Sequence, residues 1–177
     1  MPSTWTDKQL QVIRAADDAI YRPSSPIPPP WDNPGAKPVL LAAMVVAAWH
    51  ETRLGLFDGG DGGRSWGPWQ ANTAAGVGVG HAPADLSRPE YSAPLMLFEM
   101  VRQDRLTGKL SRALAEGTAF EFVATWNAEV ERPGVHEGRR LARDAIGRLR
   151  AVTVEDWWGA TAHLPALNWT PIPRRES

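Results

Sequence analysis

The residues from Val39 to Trp49 form an unbroken run of eleven apolar side chains, and this run limits the folds that the chain can adopt. A helix that spans a bilayer needs about 20 apolar residues, so this run is too short to cross one. A helix that is apolar on every face must instead be surrounded by other elements in a protein core. Pro38 suits the first turn of such a helix, and Gly55 suits its C-cap. We therefore predict a buried central helix that begins at Pro38 and ends before Gly55.

The length of the chain, 177 residues, suits one domain with a single core. We interpret residues 1–177 as a single domain in three parts. These are an N-terminal helix with a proline-rich connection over residues 1–37, a core over residues 38–152, and a Trp- and Pro-rich C-terminal strap over residues 153–177. The connection is expected to be extended and to pack over the main body.

Apolar side chains recur at helical spacing on both sides of the central helix. They predict helices over residues 6–21, 92–107, 108–116, 122–127 and 134–152. Thr6 with Gln9 and Thr118 with Glu121 fit capping boxes at two of the starts. In the helix over 92–107 the side chains expected to be buried are Leu95, Leu97, Phe98 and Val101.

Residues 55–80 are dense in glycine, which predicts a short hairpin and tight loops rather than any long element. The fold class that we predict is therefore mainly α. It is a helical domain with a small β-hairpin or loop region that forms a substrate cleft.

The composition excludes several classes of protein. The net charge of -1 argues against a dedicated nucleic-acid binder, and the mean hydropathy of -0.32 excludes a polytopic membrane protein. The absence of cysteine excludes disulfides and thiolate zinc sites, and the four histidines are scattered, so we expect no metal and no cofactor. Five arginines within residues 134–152 predict a solvated helix face, with a patch for an anionic polymer as the alternative.

Glu51 stands at the end of the apolar helix and directly before the glycine-rich segment. Partial burial and the negative end of the helix dipole both disfavour ionisation of a carboxylate at that place. Both effects raise its pKa, as a general acid near neutral pH requires. The alternative is that Glu51 forms a helix-end ion pair with Arg53 or Arg64.

Three segments together resemble a known family. They are Trp49 to Arg53, which contains Glu51; Ser65 to Ala74 (SWGPWQANTA); and Trp126-Asn127-Ala128. The family is the lysozyme-like superfamily, specifically the soluble lytic transglycosylases and goose-type lysozymes. Its members have a glutamate that ends a buried helix, a Gly-x-hydrophobic-Gln segment across the cleft, and an aromatic-Asn-Ala segment on a later helix.

The resemblance implies that Glu51 is the general acid that protonates the glycosidic oxygen between N-acetylmuramic acid and N-acetylglucosamine. In a transglycosylase the same carboxylate then acts as the base, and the product is a 1,6-anhydro sugar. In a hydrolytic lysozyme a second carboxylate activates water. Asp58 and Asp61 are the candidates for that role, and the alternative is that both are turn residues.

The resemblance also implies a set of sugar-binding residues. They are Thr52, Trp66, Trp69, Gln70, Asn72, Tyr91, Trp126 and Asn127. Side-chain amides suit sugars because they both donate and accept hydrogen bonds, and indole rings stack on pyranose faces. Burial in the core is the alternative for the three tryptophans, and a loop-bridging role is the alternative for Asn72.

Two departures from the family pattern bear on activity. Thr52 stands where the family has serine, and Glu129 stands where it has glycine. They favour a rival interpretation, a non-catalytic cell-wall or virion protein with the same fold. A helical interaction domain with chance matches is a second rival.

The setting follows from the substrate. We expect a monomer that acts on peptidoglycan, binds no nucleic acid and does not insert stably into a membrane. Residues 1–11 show no signal peptide. The resemblance therefore favours a bacteriophage endolysin that stays in the host cytoplasm until release to the cell wall, or a virion-associated enzyme.

Overall fold

A computed structural model describes residues 5–22, 27, 31–32, 34–57, 59–115, 119–129, 140 and 143–144. Over these residues the protein is mainly α-helical with one two-stranded sheet, which confirms the mainly α class. The elements are α1 (Asp7–Tyr21), α2 (Ala36–Thr52), β1 (Ser65–Trp66), β2 (Ala71–Asn72), a 3-10 turn (Gly76–Gly78), α3 (Pro83–Leu86), α4 (Pro89–Thr107), α5 (Lys109–Ala115) and α6 (Ala119–Glu129). Most of the predicted helix over 134–152, the strap over 153–177 and the capping role of Thr118 lie outside the described residues.

Helix α1 begins at the predicted capping box. The Gln9 backbone N–H donates to the Thr6 hydroxyl at 3.3 Å, and the Thr6 N–H donates to the Gln9 side-chain oxygen at 3.1 Å. The two bonds satisfy N–H groups that have no partner within the helix. The face of Ile13, Ala16 and Ile20 is fully buried and packs toward α2 and α4.

Helix α2 is the buried central helix that the apolar run predicts. Residues 40–48 are all buried, and α1 and α6 pack against it. Its N-terminus lies at Ala36, two residues before Pro38. The prediction of Gly55 as the C-cap was wrong. Arg53 caps the helix in the left-handed conformation, with φ 55°, because its N–H bonds to Trp49 O at 2.9 Å and the Leu54 N–H bonds to Ala48 O at 3.0 Å.

Helix α4 begins at Pro89, three residues before the predicted start, and it buries a different face from the one expected. Phe98 is 66% exposed, so the prediction of its burial was wrong. Leu97 is buried as predicted, whereas Leu95 and Val101 are half-buried. The packing of α4 against α1 determines this face, and the apolar content of α4 does not reveal it.

The glycine-rich segment forms the predicted hairpin in a minimal version. Strand β1 pairs antiparallel with β2, so that Ser65 lies opposite Asn72 and Trp66 lies opposite Ala71. The turn between them has positive φ at Gly67 and at Gln70. A Cβ at Gly67 would lie 1.9 Å from the backbone oxygen of Leu86, so the turn sits directly against the end of α3.

The proline-rich connection contributes Trp31 to the core. Its ring is 2% exposed and packs on Phe122 of α6 with ring centroids 5.6 Å apart. Within the described part of the chain, no helix combines the length and the apolar character needed to cross a bilayer.

Candidate active site

A cavity of about 280 Å³ is lined by the end of α2, the hairpin with its flanking loops, and α4. Several predicted site residues meet there, together with residues that the sequence did not indicate. The polar side chains in its lining include Glu51, Asp61, Gln70, Asn72 and Glu99. The cavity therefore combines carboxylates with side-chain amides.

Glu51 is the penultimate residue of α2, and its side chain is 25% exposed. Burial raises the pKa of its carboxyl above the ordinary value, and the negative charge of Asp61 raises that pKa further. The neighbouring imidazole of His50 lies beside this carboxyl, with its Nε2 3.7 Å from Glu51 Oε1. These effects keep a larger fraction of the Glu51 carboxyl protonated near neutral pH than an exposed glutamate would have.

The alternative ion pair of Glu51 with an arginine is not present among the described residues. The Arg53 guanidinium lies over the Trp49 ring, 5.6 Å from the ring centroid, and donates to Trp49 O at 3.3 Å. Arg64 Nε donates to the backbone oxygen of Asp61 at 3.2 Å. Glu51 is therefore left facing the cavity.

Asp61 faces the same cavity from the loop before β1. Its backbone is left-handed, with φ 51°, and its Oδ2 accepts from the Ser65 hydroxyl at 2.7 Å. Asn72 Nδ2 lies 3.3 Å from the same hydroxyl, and Asn72 Oδ1 accepts from the Ala74 N–H at 2.8 Å. Asn72 thus has the loop-bridging role that was the alternative to sugar binding. It also lines the cavity.

Gln70 is held in the lining of the same cavity by its own turn. Its φ is 49°, and its Nε2 donates to Gly67 O at 3.1 Å. Its side-chain oxygen lies so close to Gly60 that a Cβ there would approach it to 2.2 Å. Glycine at position 60 is therefore what allows the Gln70 amide to occupy this place.

Four predicted sugar-binding residues are not found in the lining of the cavity: Thr52, Trp66, Tyr91 and Trp126. Thr52 is 1% exposed, with its hydroxyl bonded to backbone groups. Trp66 Nε1 donates to Gly63 O at 3.0 Å, and the Tyr91 hydroxyl lies 2.7 Å from His81 Nδ1. Thr52 in particular is buried too deeply to touch a sugar, so that interpretation needs correction.

The stacking role expected of Trp69 and Trp126 is also corrected in favour of the core alternative. Trp69 lines the cavity but is 1% exposed, and its indole N–H donates to Met44 O at 2.9 Å, so its ring belongs to the core. Trp126 is fully buried and packs on Phe122 with centroids 6.4 Å apart. Asn127 belongs to α6, but its side chain and all of Asp58 lie outside the described residues.

Glu99 is the cavity residue that sequence reasoning missed. Its side chain is 7% exposed, and Arg102 holds it in a bidentate pair at 2.6 and 2.7 Å while Gln103 Nε2 donates at 2.9 Å. The spacing of Met96, Glu99 and Gln103 is helical, so these residues share one face of α4. This helical spacing was the one sequence signal for the buried face of α4. The apolar Phe98, which lies on another face, pointed to the wrong face.

The arrangement suits proton transfer to a neutral polar ligand. The Glu51 carboxyl, with its raised pKa, is protonated more readily than an exposed glutamate, and the amides of Gln70 and Asn72 offer both donors and acceptors. Across the described ranges, no group of three or more His, Cys, Asp or Glu side chains is placed to hold a metal ion.

Comparison of the chain with protein-family models, with curated proteins and with solved structures found no match in any of the three. The chemistry of the site and the motif resemblance therefore carry the functional argument.

Proposed function

We propose that this protein cleaves the glycan strands of peptidoglycan between N-acetylmuramic acid and N-acetylglucosamine, as a lytic transglycosylase with Glu51 as general acid and base. The observation that carries the proposal is the position of Glu51, which lies largely buried in the lining of a cavity. This burial raises the pKa of its carboxyl. The resemblance of its flanking segments to lytic transglycosylases and goose-type lysozymes supplies the substrate class.

The reaction needs one proton donor that becomes a proton acceptor. The protonated Glu51 carboxyl gives its proton to the glycosidic oxygen as the bond from that oxygen to muramic C1 breaks. The resulting carboxylate takes the proton of the muramic 6-hydroxyl as that oxygen bonds to C1. The products are a 1,6-anhydromuramic end and a free 4-hydroxyl, and Glu51 is protonated again.

The amides on the hairpin suit the ligand that this reaction requires. N-acetylated sugars present hydroxyl and acetamido groups, which need donors and acceptors together. Gln70 and Asn72 provide both, and each side chain is held by one hydrogen bond to the backbone of its own turn. A rigid wall of this kind costs less entropy on binding than a mobile one.

Hydrolysis is the second candidate, and Asp61 is the observation that favours it. Asp61 lines the same cavity as Glu51, and its negative charge raises the pKa of Glu51. A second carboxylate in the same cavity is what activation of an attacking water requires. However, Asp61 Oδ2 already accepts a hydrogen bond from the Ser65 hydroxyl at 2.7 Å, so this oxygen is engaged by the protein itself. Transglycosylation therefore has the stronger support.

Replacing Asp61 with asparagine is expected to change the pH profile rather than abolish activity. Glu51 must be protonated to act, so activity is present below its pKa and is lost as the pH rises through it. Removing the Asp61 charge lowers that pKa, since the charge raises it in the wild type. The alkaline limb of kcat should move to lower pH, with kcat on the acidic side within about threefold of wild type.

The pH profile of Asp61→Asn also separates the two candidates. Asp85→Asn is the matched control, because the Asp85 side chain is 43% exposed and pairs with Arg88 at 3.4 Å outside the cavity lining. Loss of activity at every pH in Asp61→Asn, but not in the control, would favour hydrolysis with Asp61 as the base.

The product ends test the proposed function itself. Purified peptidoglycan is incubated with the protein, and the soluble muropeptides are identified by mass spectrometry. Anhydromuramic ends support the transglycosylase, and reducing muramic ends support the lysozyme. If the protein sediments with peptidoglycan but releases no fragments, the non-catalytic cell-wall protein is supported instead. If it neither releases fragments nor sediments with peptidoglycan, the interaction domain is supported.

A further inference from the structure

The hydroxyl of Thr52 connects three backbone segments at the end of α2. Its Oγ1 lies 2.9 Å from the carbonyl oxygen of Pro68 and 3.1 Å from that of Ala48, and it accepts from the Gly55 N–H at 2.7 Å. The single hydroxyl proton is shared between the Ala48 carbonyl, which is internal to the helix, and the closer Pro68 carbonyl, which lies in the hairpin turn. The bond from Gly55 closes the loop that follows the helix.

The loop after Thr52 has a backbone that needs external support. Arg53 and Leu54 both have positive φ, 55° and 60°, a conformation that side chains with a Cβ disfavour. The Arg53 carbonyl accepts from Gln9 Nε2 at 3.2 Å, which ties this loop to α1. Two disfavoured residues in succession persist only where neighbouring contacts hold them.

Two residues close in sequence to the bond between Thr52 and Pro68 line the cavity. Glu51 precedes Thr52, and Gln70 lies two residues after Pro68. A second bond, from Trp69 Nε1 to Met44 O at 2.9 Å, joins the same turn to the same helix farther from Glu51. The Thr52 hydroxyl therefore joins the residue that follows Glu51 to the turn that carries Gln70.

We propose that Thr52 is a positioning residue that fixes the Glu51 carboxyl relative to Gln70 through its hydroxyl bond to Pro68, without touching the substrate. The catalytic consequence rests on the proposed function of Glu51, whereas the placement of the carboxyl does not. Loss of the link would allow the last turn of α2 to move and would let water reach Glu51.

The test compares three variants. Thr52→Val removes the hydroxyl and keeps the branched shape, and Thr52→Ser keeps the hydroxyl. Thr125→Val is the matched control, because the Thr125 hydroxyl bonds to Glu121 O at 2.8 Å within α6 and crosses to no other segment. If the valine variant lacks the wild-type circular dichroism, Thr52→Ala replaces it.

Two readouts are followed in each protein. The first is kcat and KM on glycan strands, where Thr52→Val should lose about 10 to 100-fold in kcat with little change in KM. The second is titration of the Glu51 carboxyl by carbon-13 NMR. We expect its midpoint to fall toward the ordinary value in Thr52→Val, because greater hydration relieves the burial that raises it. Serine should restore both readouts, and Thr125→Val should change neither.

A folded Thr52→Val protein with the wild-type kcat and Glu51 titration would overturn the proposal, and so would a serine variant that behaves like valine. If the wild type cleaves no glycan, the proposed function fails. The NMR titration still decides the positioning role in that case, because it does not require turnover.

Discussion

Replacing Glu51 with glutamine is expected to slow glycan cleavage by about 10² to 10⁴-fold, the usual contribution of a general acid. Glutamine has nearly the same shape and keeps the contacts of the helix end, but it has no proton to donate at neutral pH. The initial rate of soluble fragment release from purified peptidoglycan measures the effect. The control is Glu90→Gln, because Glu90 is half-exposed and pairs with Arg88 at 3.1 Å outside the lining of the cavity.

The same substitution should not destabilise the protein at neutral pH. Burial raises the pKa of Glu51 in the folded state, so between the ordinary pKa and the raised one the folded protein binds more protons than the unfolded protein. The free energy of unfolding therefore falls as the pH rises across that window. Glutamine does not ionise, so the variant avoids the free-energy cost of a buried carboxylate at this position. A Glu51→Gln protein that is folded and retains activity close to that of Glu90→Gln would contradict the assignment of Glu51.

Replacing Gly67 with alanine is expected to lower the free energy of unfolding by about 2 to 5 kcal/mol. The new Cβ would lie 1.9 Å from the carbonyl oxygen of Leu86 and 2.9 Å from its carbonyl carbon, and both are backbone atoms. Relief requires the hairpin turn to separate from α3, which would move Gln70 in the cavity wall. Urea denaturation of wild type and variant measures the loss.

The control for this substitution is Gly62→Ala. Gly62 also has positive φ, 65°, but a Cβ there meets nothing within 4 Å. It should lose only the backbone strain, about 1 to 2 kcal/mol. The difference between the two variants isolates the contact with Leu86. Equal losses in both would mean that the turn does not pack against α3 as described.

The features that the sequence predicts best depend on local patterns. The capping box of Thr6 and Gln9 is local, and so is the burial of a helix that is apolar on every face. The placement of Glu51 at the end of that helix follows from the same run. Its raised pKa was expected from burial, and burial is the largest cause in the structure.

The features that the sequence does not predict depend on which elements meet. The C-cap moves from Gly55 to Arg53 because backbone bonds, rather than the preference for glycine, decide where the helix stops. Phe98 is exposed and Glu99 is buried because the packing of neighbouring helices decides which face of α4 is covered. Glu99 tolerates burial only because Arg102 and Gln103 bond to it.

The site shows the same division. Glu51, Gln70 and Asn72, which belong to the motif segments, line one cavity, and so does Asp61, which was only a candidate second carboxylate. The role of Thr52 changes, because its bond to Pro68 joins residues 16 positions apart and is visible only in the fold. Trp69 was open to two interpretations in the sequence, and its bond to Met44 selects the buried one.

The proposed mechanism uses Glu51 alone as acid and base, with the muramic 6-hydroxyl as nucleophile. Its sharpest test is the mass spectrum of the muropeptides released in water labelled with oxygen-18. We expect 1,6-anhydro products that carry no label and that are lost in Glu51→Gln. Oxygen-18 in newly formed reducing muramic ends would contradict it, because water would then be the nucleophile.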